Sequence, residues 1–338
     1  MNPVCKFIRF FYVSLPLPTK IKTRLKDLVF FVIPSLRRSS GASSQIDDGT
    51  IKKTESSQQM LDRKTKLLSL ISPLAQDGLE FGPLFTPIVT RAESNGRVQY
   101  VDYLSAEGLK EHYREDPSVR VEDIVDIDYI WGEGTLPEIV NGQRFNYAIA
   151  SHVIEHLPDV LGWLKEVKEV LDDKGILSLA IPDKRYTFDY KRDLSTPGML
   201  IEAYLCEKRH PGPREIFDNL LLAGKVDVVE AWNRKIKNVQ PWATIQYAFE
   251  MAKDSVQTNR YQDVHVNVFT PASFLYLLEI ASRVELFDFV VIDFYDTVRN
   301  TLEFFISLER LPDGLDQNEK LAKQLASIAW ARDRIVNS

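Results

Sequence analysis

Cysteine is nearly missing from this chain. Two residues in 338, Cys5 and Cys206, stand far apart. That excludes a disulfide framework and a cysteine-based metal cage, and it suits a reducing, cytoplasmic setting. Long apolar runs are missing too. Residues 7–17 (FIRFFYVSLPL) and 28–36 (LVFFVIPSL) are apolar but broken by Pro or Arg. Each falls well short of the roughly 20 residues that a membrane-spanning helix needs. No small-residue cleavage site accompanies them, so no signal peptide is expected. There is no internal repeat. Nor is there a general excess of positive charge: the net value of −6 argues against a nucleic-acid binder.

What is present is a globular composition, 44% hydrophobic and 27% charged, enough for a substantial core. The charge is unevenly spread. Residues 1–40 hold eight Lys/Arg against the single Asp27. Within the basic/apolar segment 1–38, Lys20, Lys22, Arg24 and Lys26 lie between the two apolar patches. Such a segment can rest on an anionic membrane face or dock on a partner; the plainer reading is a loosely packed tail. Residues 39–59 are polar and Ser-rich and read as a linker. The folded domain is expected over 60–310, followed by a charged amphipathic helix in 311–338.

One stretch organises the domain. Tyr147–Ser151 is a buried strand, Leu161–Leu171 has helical periodicity, and Ile176–Ile181 is a second buried strand stopped by Pro182. Gly175 stands where a left-handed cap belongs. Strand, crossover helix and strand make a βαβ unit. Short strands are also expected at 79–81, at 98–103 and over Ile124–Ile130, the last with Asp126 and Asp128 on one face. Residues 190–262 mix aromatics and charges without strand-like runs and read as a helical insertion. Thr270–Ala281 is a helix with Pro271 in its first turn. Leu286–Phe294 and Glu303–Leu308 are an antiparallel strand pair. The fold class is α/β, a doubly wound, mostly parallel seven-stranded sheet. Polar residues gather at the carboxyl ends of its strands, where such sheets bind ligands.

This order of elements resembles the class I S-adenosylmethionine-dependent methyltransferases over about residues 75–310. The resemblance implies a Rossmann-like methyltransferase fold, S-adenosylmethionine as cofactor and methyl transfer as activity. Glu80 and Gly82 match the first positions of the family's glycine loop, but Leu84 and Thr86 stand where two further glycines belong. A Leu there is expected to crowd the methionine end of the site. Asp102 matches the acid that binds both ribose hydroxyls, and Asp126, with Asp128 second, matches the adenine reader. Residues 145–159 (FNYAIASHVIEHLPD) and 171–185 (LDDKGILSLAIPDKR) match the fourth strand with its turn and the fifth strand. Ser151 and His152 then face the methyl group. The longer strings, through 180–189 (AIPDKRYTFD), resemble bacterial methyltransferase-like proteins of surface-glycan synthesis, as does the N-terminal segment.

The expected acceptor is a hydroxyl of a sugar or glycan intermediate. His152 is the first candidate for its base, then His265, then His156. Asp183 is placed to orient the base or the sugar, Lys184 and Arg185 to hold an acidic acceptor, and Asp263 to return beside His265. The competing reading is a non-catalytic protein of this fold that contacts a glycosyltransferase or membrane through residues 1–40. His152–His156 also spells H-x-x-E-H, an inverted zinc-protease signature. That motif needs a continuous helix, and a strand end before it and Pro158 after it leave no room, so no metal site is expected there.

Overall fold

The computed structural model describes residues 62–132, 134–258 and 260–335. The expectations for 1–38, 39–59 and the start of the lead-in helix lie outside these residues.

Seven strands form one sheet: β1 Gly78–Phe81, β2 Val98–Asp102, β3 Tyr129–Ile130, β4 Phe145–Ser151, β5 Leu171–Pro182, β6 Phe289–Tyr295 and β7 Glu303–Arg310. Their order is β3-β2-β1-β4-β5-β7-β6. β1 to β5 pair in parallel, while β7 runs antiparallel to both β5 and β6. This is the Rossmann-like methyltransferase arrangement. Chain order reverses between β1 and β4, so a crevice opens above their carboxyl ends.

The central strands are apolar because both faces are covered. All four residues of β1 are buried, as are Tyr147, Ala148, Ile149 and Ala150 in β4. One face packs against helices. In chain order the helices are α1 Ala106–Tyr113, α2 Leu136–Ile139, α3 Val160–Val170, α4 Pro197–Leu205, α5 Pro213–Leu222, α6 Val228–Trp232, α7 Ile245–Thr258, α8 Pro271–Arg283 and α9 Gln317–Arg332. α3, α8 and α9 share the larger core with Trp163, Leu164, Phe274, Leu278 and Ile328. On the opposite face the lead-in segment lays Leu67 and Ile71 against Tyr100, Tyr147, Ile149 and Phe305. Burying one such Leu contributes on the order of 2 kcal/mol. The carbonyl of Leu67 accepts from Ser178 Oγ on β5 at 2.8 Å, which fixes where the lead-in lies.

Local signals explain the boundaries. α3 starts where Asp159 accepts from the Gly162 amide at 2.8 Å, and α8 where Thr270 and Ser273 form a reciprocal cap before Pro271. α4 to α7 lie within the expected insertion. Two expectations need correction. The left-handed residue after α3 is Lys174 (φ 62), not Gly175; Gly175 is needed because a Cβ there would come within 2.8 Å of the Asp172 carbonyl. The third strand is only Tyr129–Ile130, because the Val125 amide donates to the Leu84 carbonyl at 3.0 Å. The chain at 124–127 is thereby held beside the loop after β1 and rejoins β2 at Asp128, whose amide donates to the Tyr100 carbonyl at 3.0 Å. Among the described residues no helix is long and apolar enough to cross a membrane.

Candidate active site

The loop after β1 forms the floor of the crevice. Gly82 has φ 61, and a Cβ on it would meet Val153 Cγ2 at 3.2 Å. Leu84 also takes a left-handed backbone, φ 46, at a cost of about 1–2 kcal/mol for a residue with a side chain. That side chain is buried among Ala106, Leu109, Tyr113, Val119 and Ile124. The loop thus keeps a glycine-like backbone at position 84, and the isobutyl group packs into a local core while still lining the cavity. Glu80 lines the cavity, and each of its oxygens already accepts one backbone amide. Oε1 accepts from the Ile88 amide at 2.6 Å and Oε2 from the Val89 amide at 3.0 Å. Its work is to hold the loop closed. Burial outweighs those bonds and pushes the carboxyl up to about 7.

Asp102 ends β2 at the wall of a cavity of about 1700 Å³, roomier than the usual 300–1,000 Å³ or so of a ligand site. Its Oδ1 accepts from the Tyr103 amide at 2.7 Å. Burial, aided by the nearby Asp263, raises the carboxyl to about 7. Asp126 and Asp128 are not beside it. Asp126 is exposed and off the cavity. Asp128 binds Arg91 and the Tyr100 amide, each at 2.7 Å. The bend at 124–127 that shortens β3 leaves Asp126 outside, while Asp128 is tied to β2 at Tyr100. What lines the cavity after β3 is Trp131, and Trp163 on α3 lines it nearby. Both indole N–H groups are buried without a hydrogen-bond acceptor.

The acceptor side differs most from expectation. His152 has φ 56 and lies between two carboxylates, with Nε2 2.7 Å from Glu303 and Nδ1 3.4 Å from Glu155. Burial alone would lower its pKa, but the two carboxylates hold it above the ordinary value. Both its ring nitrogens face carboxylates, and Nε2 is taken up by Glu303. Glu303 also takes Arg63 at 3.0 Å, and Arg63 donates to Ser151 Oγ. Ser151 and His152 line the cavity, held in a network of Arg63, Ser151, His152 and Glu303.

His156 and His265 are each backed by an acid. His156 Nδ1 lies 2.7 Å from Asp263, and His265 Nδ1 lies 2.5 Å from Asp189. Asp189 is fixed from its other side by Arg192 at 2.8 Å. Despite burial, the facing His265 and Arg192 hold its carboxyl down at about 2. The two imidazoles meet edge to face, 4.8 Å between centroids. They come together because Val266 and Asn267 donate their amides to the Glu155 carbonyl at 2.8 and 2.9 Å. The insertion therefore returns His265 to the turn after β4.

Asp183, Lys184 and Arg185 do not reach the cavity. Asp183 is fully buried, caps the turn 184–186, and holds Arg185 at 2.7 Å and Thr297 at 2.9 Å. Lys184 donates to the Tyr190 carbonyl at 3.1 Å. The polar cluster after β5 is thus a structural knot, because the chain turns away at Pro182.

The strand order, with β7 antiparallel beside β5, is the doubly wound arrangement that the sequence resemblance implies. Three solved structures illustrate the likeness. One is a Listeria monocytogenes protein assigned as an S-adenosylmethionine-dependent methyltransferase, with 12% identity, 76% of this chain and 100% of that one covered, and a TM-score of 0.38. Another is the magnesium protoporphyrin IX methyltransferase of Synechocystis, with bound S-adenosylhomocysteine, with 9% identity, 90% and 99% covered, and a TM-score of 0.32. A third, from Rhodobacter sphaeroides, is named for zinc-dependent alcohol dehydrogenases, with 12% identity, 74% and 90% covered, and a TM-score of 0.42. No family model matches the chain, and no curated protein does. Such likenesses concern the fold, and function has to be read from the site itself.

Sequence reasoning missed Arg63, Glu303 and Asp189 beside these residues, and it weighed Glu155 only in the turn after the fourth strand and as the base of the H-x-x-E-H string. Asp189 was legible, since it ends the string Ala180–Asp189 that carries part of the resemblance. Arg63 and Glu303 carry no local signal; they meet Ser151 and His152 only through the sheet and the lead-in.

Proposed function

We propose that this protein transfers a methyl group from S-adenosylmethionine to a hydroxyl of a sugar or glycan intermediate. The observation that carries the donor half is Asp102. Its carboxylate lines the crevice at the switch point and is raised to about 7 by burial. A ribose diol offers two donors to such a group, which suits a carboxylate better than any neutral side chain. Gly82, left-handed and close to Val153, is where backbone would approach the donor. Trp131 offers an aromatic face and an N–H to the base. Among the residues present the donor fits with Asp102, Gly82 and Trp131 in these roles, while Glu80 shapes the loop and Asp126 takes no part.

The donor supplies a methyl already activated on sulfonium sulfur, so the chain's own task is to position the acceptor and manage one proton. Glu155, His156 and His265 are proposed for that task in place of His152 and Asp183. A sugar is favoured by the wall from the insertion. Tyr261 lies 5.4 Å from Tyr103, ring to ring, and His210 stands beside it at 6.2 Å. Aromatic faces mixed with polar groups suit a polyhydroxylated ring. Residues 1–40 are proposed to contact an anionic membrane face or a glycosyltransferase, with the protein in the cytoplasm at that membrane.

The test is label transfer from S-adenosylmethionine with a radioactive methyl group, using nucleotide sugars and oligosaccharides with free hydroxyls. Label is expected in the sugar fraction and is lost with Asp102→Ala. Label found only in amines or carboxylates overturns the acceptor half.

A further inference from the structure

Glu155 occupies an unusual place. It is 1% exposed, yet neither carboxylate oxygen has a hydrogen-bond partner. An ionised carboxylate left so in the interior costs several kcal/mol or more unless a cation compensates it. Three imidazoles surround it at distances too long or too poorly aligned to bond. His152 Nδ1 lies 3.4 Å from Oε1, His265 Nε2 3.8 Å and His156 Nε2 4.0 Å. Glu155, His156 and His265 can each turn one ligand atom inward, all within 4.8 Å of one another.

The outer shell matches. His156 and His265 present Nε2 to Glu155 while Nδ1 faces Asp263 and Asp189. Metal-binding histidines are held in this way, since the carboxylate fixes the ring and the tautomer that ligates. His152 has its own acid, Glu303, and stands as the neighbour that balances charge.

We infer that Glu155, His156 and His265 form a binding site for a divalent first-row transition metal, Zn²⁺ foremost. Two imidazoles and one carboxylate suit that class of ion rather than Mg²⁺ or Ca²⁺. Bonds of about 2.0–2.2 Å put tetrahedral ligand atoms about 3.4 Å apart, so the two nitrogens need to close on Oε1 by about half an ångström, and the widest separation in the set, up to 4.8 Å, has to shorten as well. The H-x-x-E-H string thus contributes to a metal site after all, but not as a helical motif. Residues Ile154–His156 form a single 3-10 turn, and the third ligand comes from the far side of the insertion. All three residues line the cavity, so the remaining coordination positions open onto the acceptor. With the ion bound, these three side chains would act through it: the ion would hold the acceptor oxygen and ease loss of its proton to solvent, a role that rests on the methyl-transfer reading. The ion's presence does not rest on it.

The experiment is metal analysis of the full chain after loading separately with Zn²⁺, Co²⁺, Fe²⁺ and Mn²⁺ and dialysis, with circular dichroism to confirm folding. About one equivalent of Zn²⁺ is expected, and visible ligand-field bands on the Co²⁺ form. Glu155→Gln and His265→Ala should lose the ion, and Asp189→Asn should weaken it about 10- to 100-fold. His210→Ala, in the cavity wall but outside the cluster, should retain it. A folded wild type that retains no metal overturns the inference, as does a metal content unchanged in Glu155→Gln. Neither readout involves donor or acceptor. A protein that binds S-adenosylhomocysteine without metal sinks this inference alone, and one that binds metal without S-adenosylhomocysteine sinks the donor reading alone.

Discussion

Glu155 Oε1 lies 3.8 Å from His265 Nε2, although the helical insertion separates the two residues in the chain. The backbone makes the meeting obligatory: the amides after His265 close on the Glu155 carbonyl. The acceptor side of the site is therefore built by the insertion and the turn after β4 together, not by strand ends alone.

Glu80 links the loop to pH. The folded protein holds its carboxyl at about 7 against an ordinary 4.5. A raised acid favours the neutral form in the folded state, so its contribution is full at low pH and is lost as pH rises through that window. Chemical denaturation across about pH 4 to 8 should show wild type losing up to about 3 kcal/mol relative to Glu80→Gln. Parallel stability curves would contradict the burial argument.

Glu303 behaves in the opposite sense. Burial would raise it, but Arg63 and His152 bring it down to about 2. Its contribution is present above the usual carboxylate range and is lost as pH falls toward 2. Glu303→Gln should cost about 3 kcal/mol near neutrality, the scale of a broken buried pair. That difference should narrow in acid. A variant as stable as wild type at neutral pH would mean that the network with Arg63 and His152 carries no weight.

Leu84 tests the loop. Leu84→Gly removes about 1 kcal/mol of left-handed strain but also loses a buried side chain worth about 1.5–3 kcal/mol. A net loss of stability is expected, with affinity for S-adenosylhomocysteine changed by no more than about threefold. A large gain in affinity would show that the side chain crowds the ligand after all.

Much of this architecture was legible in the sequence. The strands expected at 79–81, 98–103, 147–151 and 176–181 announce themselves because a doubly covered sheet needs continuous apolar runs. Pro271 and Pro182 mark a helix start and a strand end by removing a backbone donor. Asp102 and Ser151 line the cavity at the strand ends where the sequence places them. The site was not legible where long-range pairing decides the role of a side chain. Nothing local tells that His152 is shared by Glu303 and Glu155, that Asp183 is spent on Arg185 and Thr297, or that a carbonyl at Leu84 carries Asp126 away from the cavity.

The central claim is that the crevice above β1 and β4 holds S-adenosylmethionine through Asp102. Titration calorimetry of the full chain with S-adenosylhomocysteine tests it most directly. The account predicts saturable one-to-one binding that strengthens as pH rises through about 7, where Asp102 ionises. It also predicts that Asp102→Ala abolishes that binding. No heat of binding from folded wild-type protein, or equal affinity in Asp102→Ala, would contradict it.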